Sequence, residues 1–436
     1  MNEFYYFLYL SYEWIFFNKE NFVYFIPLLM IFEMPILILV LIGVFKWFYK
    51  NNKKNSIIYN PAVSILVTCY NEEHGLTKTI KTIQEQIYSG SIETILVVDG
   101  AYENKKTYKL CLNLQKKLST KFRTILVIPK WERGGLVSSA NTGLSYSKNE
   151  LIFRVDGDCS FDNNMVSEMV KIFRDKDIIA SSGTLRVQNQ NDNLLTIMQS
   201  IEYITSIQQG KTGMSNIGVL NNISGAFGVF RKNILKNIGG WDNDTAEDLD
   251  LTIRLKQYSR RNPNLKLGFQ PTSINHTEVP STIKDFLLQR IRWDGDLTFQ
   301  LLKKHKIGFR PEIIGWKKFL FSFFYDIIQV IIIPILVFLY SLYILLFYNI
   351  EVFFMIFLFL YVFYVSISIF QFIIHLVLIS DRIFSDLKLM PYILFYPIYL
   401  ISCKYISIFA LLNELIRNGH EESNMAPWWI LKNKRY

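Results

Sequence analysis

Apolar residues follow two patterns along this chain. Across the middle, short apolar runs alternate with helically spaced ones; on either side, they continue almost without interruption. Residues 62–69 (AVSILVTC), 92–98 (IETILVV), 124–128 (TILVI) and 150–153 (ELIF) are brief, mostly apolar and rich in branched side chains. That is the pattern of strands buried in a parallel sheet. After the first run, Leu76, Ile80, Ile83 and Ile87 recur at helical spacing over 76–88, and a second helix is expected over about 105–119. Residues 131–144 (WERGGLVSSANTGL) read as a loop leading into a third. Strand–helix–strand alternation at this interval predicts an α/β fold with a doubly wound, mostly parallel sheet.

The uninterrupted runs lie outside that domain. Residues 22–48 contain only Glu33 and Lys46 as charges, and residues 319–348, 352–380 and 389–416 are three further stretches rich in Ile, Leu, Phe and Tyr. Each can cross a hydrocarbon core of roughly 30 Å, which takes about 20 helical residues. The expected layout is an N-terminal membrane region of one or two helices (1–55), a domain (56–300), an interfacial helix (301–318), a transmembrane region (319–418) and a basic tail (419–436). The first seventeen residues carry Glu3 and Glu13, without a basic start or a small-residue cleavage site. They read as an interfacial helix or a short span rather than a signal peptide. Pro397 and Lys404 interrupt the last run. It is either a re-entrant or kinked pair, or an ordinary span whose Lys404 faces another helix.

The net charge of +10 would suit a nucleic-acid partner, but its distribution points elsewhere. Lys46, Lys50, Lys53 and Lys54 follow the first span, and basic flanks of this kind stay in the cytoplasm. The domain is therefore expected to be cytoplasmic in a multi-pass protein of the cell membrane, with no nucleic acid bound. Arg417, Lys432, Lys434 and Arg435 favour the same side for the tail, whereas one span before the domain and three after it would put the tail outside. Cys69, Cys111, Cys159 and Cys403 lack paired metal spacing and read as free thiols.

The chemistry centres on Arg154-Val155-Asp156-Gly157-Asp158-Cys159, directly after an apolar strand. Two carboxylates at a strand's end suit Mg²⁺ or Mn²⁺, which bind through few protein oxygens plus substrate phosphates. Asp-Gly-Asp is also common in surface turns. Asp99 ends the 92–98 strand in the same way and is a candidate for a ribose or base, or a structural cap. Neither G-x-G-x-x-G after the first strand nor G-x-x-x-x-G-K-[ST] is present, which weakens dinucleotide and P-loop readings. A second acidic cluster, Glu247, Asp248 and Asp250, opens a helical pattern. It either complements a helix dipole or supplies a general base. Gln289, Arg290, Arg292 and Trp293 precede the membrane region as an amphipathic segment. Arg292 could pair with a diphosphate and Trp293 could stack on a sugar.

Taken together, Asp99, Asp156-Gly157-Asp158, Glu247-Asp248 in AEDLDLT and Gln289-Arg290-Ile291-Arg292-Trp293 resemble the motifs of processive membrane glycosyltransferases of the GT-A fold, glycosyltransferase family 2. The likeness is nearest to bacterial poly-β-1,6-N-acetylglucosamine synthases and extends to hyaluronan, chitin and cellulose synthases. It implies that Tyr70, Glu72 and Asp99 line a uridine pocket, and that Asp156 and Asp158 hold UDP and its divalent metal. It makes Asp248, beside Glu247, the catalytic base, and sets Gln289, Arg292 and Trp293 over the diphosphate and the acceptor. The implied reaction is inverting, processive polymerisation of a UDP-sugar, with UDP-N-acetylglucosamine favoured. The polysaccharide would be passed across the membrane, among lipids and with room for a small accessory membrane subunit. The chain departs from the pattern at Ala246, where Thr is usual, at residues 101–104, and at Arg133-Gly134-Gly135, where Arg-Gly-Lys is usual. The rival expectations are a non-processive transferase with a lipid-linked acceptor and a non-enzymatic membrane subunit that kept the fold.

Overall fold

The computed structural model describes Tyr6, Tyr9 and residues 32–51, 59–242 and 245–422. The reading of the first seventeen residues, the basic residues Lys53 and Lys54, and the tail beyond residue 422 lie outside those residues.

The first described helix is α1 (Met34–Asn51). The domain then alternates β1 (Val63–Cys69), α2 (Glu73–Gln84), β2 (Ile92–Val98), α3 (Lys105–Leu118), β3 (Arg123–Pro129), α4 (Gly135–Tyr146) and β4 (Leu151–Asp156). It continues through β5 (Ser160–Phe161), α5 (Met165–Ile172), β6 (Ile178–Val187), α6 (Leu194–Glu202), a π-helical segment (Tyr203–Gly210), α7 (Lys211–Asn216), β7 (Phe227–Arg231), α8 (Lys232–Asn237), α9 (Glu247–Arg261) and β8 (Lys266–Thr277).

The sheet order is β3-β2-β1-β4-β7-β6-β8-β5. Only β7 and the short β5 run against the rest. β1 lies between β2 and β4, so the winding reverses there. Open α/β sheets bind ligands at the carboxyl ends of strands beside such a reversal. Cys69 and Asp156 close those two strands.

Every residue of β1 and β2 is buried, because both faces of the sheet are covered. Ile65 and Val67 face Leu76, Ile80 and Ile83 of α2, whereas Leu66 on the opposite face packs with Val137 and Leu144 of α4 and Leu251 of α9. The period-2 alternation of the strand thus meets one helical layer on each side.

Beyond the domain come α10 (Ile283–Phe299), a π-helical turn (Gln300–Lys304), α11 (Pro311–Ile314) and α12 (Trp316–Ser322), followed by a π-helical segment (Phe323–Ile332) and α13 (Ile333–Phe347). α14 (Ile350–Leu378), α15 (Ile383–Leu387), a 3₁₀ turn (Met390–Phe395) and α16 (Tyr396–Arg417) follow. Residues 301–318, expected as one interfacial helix, are broken into a π-helical turn and short helices. Gly315 at φ +87° separates α11 from α12.

Among the described residues, four helical stretches are long and apolar enough to cross a membrane: Met34–Asn51, Trp316–Phe347, Phe353–Leu378 and Met390–Arg417. In the last, α16 is one continuous helix, with Pro397 in its first turn, where a missing N–H costs nothing. Its Lys404 pairs with Glu33, whose other oxygen accepts from Tyr364 Oη at 2.7 Å.

The apolar helices are bound to the domain at defined points. Gly43 of α1 meets Gly213 of α7 so closely that a Cβ on Gly43 would lie 2.1 Å from the Gly213 carbonyl oxygen. The segment after α14 is held by ion pairs: Arg186 of β6 reaches both oxygens of Asp386 in α15 at 2.6 and 3.0 Å, and Arg382, just before α15, pairs with Asp162. α16 lies along α10. Tyr399 Oη accepts from Arg290 Nη2 at 2.9 Å, Ser407 donates to Asp294 at 2.5 Å, and Lys303, just past α10, pairs with Glu414 at 2.7 Å.

Candidate functional site

The two acidic motifs meet at the carboxyl ends of β1 and β4. The turn after β1 brings Glu72 under the Asp156-Gly157-Asp158 corner, where Asn71 takes a left-handed φ of +59°. A Cβ on Gly157 would sit 1.9 Å from Glu72 Oε2, so only glycine lets that carboxyl enter. Glu72 Oε2 is buried there with no hydrogen-bond partner. Burial, then the neighbouring Asp158 and Asp156, pushes the Glu72 carboxyl up to about 8. Asp158 is exposed, and the Asp156 side chain is 35 % exposed. Poor solvation at the crevice floor raises the Asp156 carboxyl, opposed by Arg154 and reinforced by Asp158 and Asp248.

The second cluster divides its labour. Asp250 is buried and bound by Arg254, Lys304 at 2.8 Å and His305 at 2.9 Å. Burial alone would raise it, but the His305 hydrogen bond and the two cations hold its carboxyl well below the usual range. It pins α9 to the chain after α10. Glu247 and Asp248 face the crevice instead. The residue before them, Ala246, adopts a left-handed φ of +53°, a strained choice for alanine that aims the first turn of α9.

Asp248 Oδ1 accepts from the Leu249 N–H at 2.8 Å, and Oδ2 from the Gly225 N–H at 3.1 Å and Asn222 Nδ2 at 3.4 Å. Its second oxygen thus rests on the loop that enters β7. A Cβ on Gly225 would lie 2.8 Å from Arg154 Nη1 and 3.2 Å from Glu247 Oε1, so this position also needs glycine.

Arg154 joins the clusters. Its Nη1 lies 2.9 Å from Glu247 Oε1 and its Nη2 3.5 Å from Asp156 Oδ1. Burial raises Glu247 to about 7 against the pull of Arg154. Lys211, at the start of α7, is 5 % exposed, donates to Ser224 Oγ at 2.8 Å and feels Asp248. Burial lowers its ammonium to about 8, with Asp248 opposing. The sequence carried one signal for Arg154, a lone charge inside an apolar strand, which has to be paired when buried. Lys211 had none, since it lies in a stretch of mixed polarity.

α10 forms the remaining wall. Arg292 is exposed and acts electrostatically on Asp156 and on Asp296. Asp296 accepts from Thr245, just ahead of α9. Burial brings the Asp296 carboxyl up to about 7, with Thr245 and Arg292 opposing. Arg290 is turned away from the crevice and binds both Glu202 oxygens, locking α10 to α6. Trp293 is half-buried, packed on the core with the Arg290 guanidinium 4.9 Å from its ring. Gln289 Oε1 is buried and has no partner.

Asp99 and Tyr70 join the site at its far end. Asp99 is buried, and both its oxygens are engaged: Oδ1 by Lys130 Nζ at 2.8 Å and the Gly134 N–H at 2.9 Å, Oδ2 by the Gly135 N–H at 2.9 Å. It fastens the start of α4. Arg133 stacks over the Tyr70 ring at 4.2 Å. The candidate residues therefore form a run from Asp99 through Arg133 and Tyr70 to the acids. Glu72, Asp156, Asp158, Glu247, Asp248 and Arg292 are close enough to perturb one another, while Gln289 and Trp293 sit within the α10 packing.

Among the described residues, no three His, Cys, Asp or Glu side chains form a ready-made metal cage. The donor set at the Asp-Gly-Asp corner is nonetheless all hard oxygen, with one unpartnered carboxyl oxygen beneath it. That fits a cation which keeps waters and borrows phosphate oxygens.

Comparison with known proteins agrees with this architecture. Residues 64–239 match the family described as Glycosyl transferase family 2, and this part of the chain is a domain of that family. Over 233 residues the chain is 28% identical to a poly-beta-1,6-N-acetyl-D-glucosamine synthase of Staphylococcus epidermidis, covering 53% of each chain. Over 248 residues it is 25% identical to the synthase of the same name from Staphylococcus aureus, covering 56% of this chain and 57% of that one. The chain thus aligns with about half the length of the curated relatives it matches. A solved mannosyltransferase from Pyrobaculum calidifontis, in complex with GDP-Man and Mn²⁺, shares the fold with a TM-score of 0.51 at 14% identity, covering 88% of this chain and 98% of that one.

Proposed function

We propose, with the family 2 glycosyltransferase domain as the premise, that this chain is a membrane polysaccharide synthase. It joins sugars from a UDP-sugar donor, favoured as UDP-N-acetylglucosamine, by inverting transfer, and passes the polymer across the membrane. The observation that carries the reading is the convergence of Asp156 with Glu247 and Asp248 around one buried guanidinium, beneath a helix that lies along an apolar one. The names of the staphylococcal relatives support the polymer and the sugar.

Asp156 and Asp158 would hold Mg²⁺ or Mn²⁺, which, when bound, neutralises charge on the departing diphosphate. Asp248 takes the proton from the acceptor hydroxyl. Its two oxygens are fixed by backbone N–H groups, so its free lone pairs keep a constant direction. Glu247 and Arg154 set the charge around it. Tyr70, Glu72 and Asp99 bound the uridine side, with Asp99 acting through the loop it caps. Arg292 meets the diphosphate and Trp293 backs the acceptor end. Lys46 and Lys50 at the domain-proximal end of the first span favour a cytoplasmic domain.

The deciding experiment is a donor screen on the full-length protein in nanodiscs. UDP release is read for each UDP-sugar with Mg²⁺ or Mn²⁺, and product length is read on a gel. Release with UDP-N-acetylglucosamine and a ladder of long products is expected. The fold neighbour is named as a mannosyltransferase, and transfer of a single sugar to a lipid-linked acceptor is the second reading. Single-addition products would select it. No release from any UDP-sugar would remove both readings.

A further inference from the structure

We propose that Arg154 is a positioning residue for the transfer, holding the donor-side carboxylate Asp156 and the acceptor-side acids Glu247 and Asp248 at one fixed spacing. The inference rests on the reading of this crevice as the transfer site.

Arg154 is 2 % exposed and heads the largest fully buried side chains of the protein. Its neighbours in β4, Phe153 and Val155, are wholly buried and apolar. An unpaired guanidinium in such a place costs several kcal/mol, so the pairing decides whether the position is tolerable. The pairing here is divided across the crevice. Nη1 lies 2.9 Å from Glu247 and also donates to the Gly225 carbonyl, while Nη2 lies 3.5 Å from Asp156. Gly225 in turn donates its N–H to Asp248. One planar fork thus touches the metal-side acid, the acid beside the base, and the peptide unit that orients the base.

The anchor is stiff, because β4 is laddered on both sides, to β1 and to β7. Without the fork, Asp156, Glu247 and Asp248 would face one another as like charges. Lysine would restore the charge but not the planar two-pronged reach.

The test uses full-length Arg154→Met and Arg154→Lys in nanodiscs, with UDP-release kinetics, UDP affinity in the presence of Mn²⁺ by calorimetry, and thermal unfolding to verify the fold. Arg154→Met is expected to lower kcat by about a hundredfold and weaken UDP·Mn²⁺ binding by about tenfold, because both charge and geometry go. Arg154→Lys is expected to recover UDP·Mn²⁺ affinity to within about threefold while kcat stays at least about tenfold low, because only charge returns. Folded variants that both match the wild type in affinity and kcat overturn the proposal. If Arg154→Met does not fold, Arg154→Lys decides alone, and wild-type kcat in it is the overturning result. Wild-type protein that neither binds UDP·Mn²⁺ nor releases UDP would remove the reading of the crevice itself. Turnover by the wild type with unaltered variants would remove only the role of Arg154.

Discussion

Asp248→Asn is the sharpest perturbation of the site, because it changes one oxygen to an amide nitrogen and leaves the shape alone. Both Asp248 oxygens accept backbone N–H groups, from Leu249 at 2.8 Å and from Gly225 at 3.1 Å. An amide can accept on one side only, so one of these contacts becomes a donor facing a donor. That costs about 1–3 kcal/mol of stability, which a folded domain of this size tolerates. The chemical loss is larger. A positioned general base contributes about 10²–10⁴-fold, or about 2.7–5.4 kcal/mol at 1.36 kcal/mol per tenfold. The donor side should be spared, since Asp248 acts on Asp156 as one of several surrounding charges rather than as its hydrogen-bond partner. Removing a negative charge from the crevice also cannot weaken an anionic nucleotide electrostatically. UDP release and UDP affinity with Mn²⁺ are read on the same preparation. The expected result is turnover lowered by at least about a hundredfold with UDP affinity within about threefold of wild type. More than about a tenth of wild-type turnover, or lost UDP affinity with residual turnover, would refute the assignment.

Three further outcomes follow from the geometry. Asp158→Ala is expected to lose metal-dependent UDP binding, seen as equal, weak calorimetric traces with and without EDTA; unchanged metal-dependent binding counts against the corner. Asp296→Asn tests the buried carboxyl held up to about 7. A carboxyl raised on folding contributes stability that is present below its ordinary titration range and lost as pH climbs through the folded value. The unfolding free energy of the Asn variant relative to wild type, read by denaturant titration at each pH, should therefore rise between about pH 4 and pH 8 by up to about 4 kcal/mol; a flat difference sinks this reading. Asp386→Ala leaves Arg186 buried without its carboxylate and should destabilise the protein by about 3–5 kcal/mol in denaturant titrations. An unchanged midpoint would mean that α15 is not held to β6 there.

The route from site to membrane runs through α10. Its Arg290 is bound to α6 and α16, while its Arg292 and Asp296 face the acids and the start of α9. A displacement of α16 would therefore be felt at Thr245 and the turn before Asp248. If the proposed transfer of product from the crevice to the apolar helices holds, this contact is where the two would be mechanically linked.

Where burial alone speaks, the amino-acid order was sufficient. Strands β1, β2 and β4 were legible because both of their faces are covered, so side chains on either side are mostly apolar, and the edge strand β3 because its apolar run is unbroken from Ile125 to Ile128. The membrane-length stretches were legible because their apolar runs continue for about 20 residues or more, and the Asp-Gly-Asp and Glu-Asp clusters because carboxylates are conspicuous beside such runs. The other half of the sheet was not. β6 is wholly buried yet contains Ser181, Ser182, Thr184 and Arg186; the Thr184 hydroxyl and the Arg186 guanidinium are paired with groups distant in the chain, the Pro271 carbonyl and Asp386. Nor could a local pattern show that Asp99 spends its oxygens on Gly134 and Gly135, that α16 lies along α10, or that Arg154 stands between two acidic motifs. A residue's own type states how much it costs to bury. Which group compensates that cost depends on the order in which strands are laid side by side, and only the assembled sheet settles it.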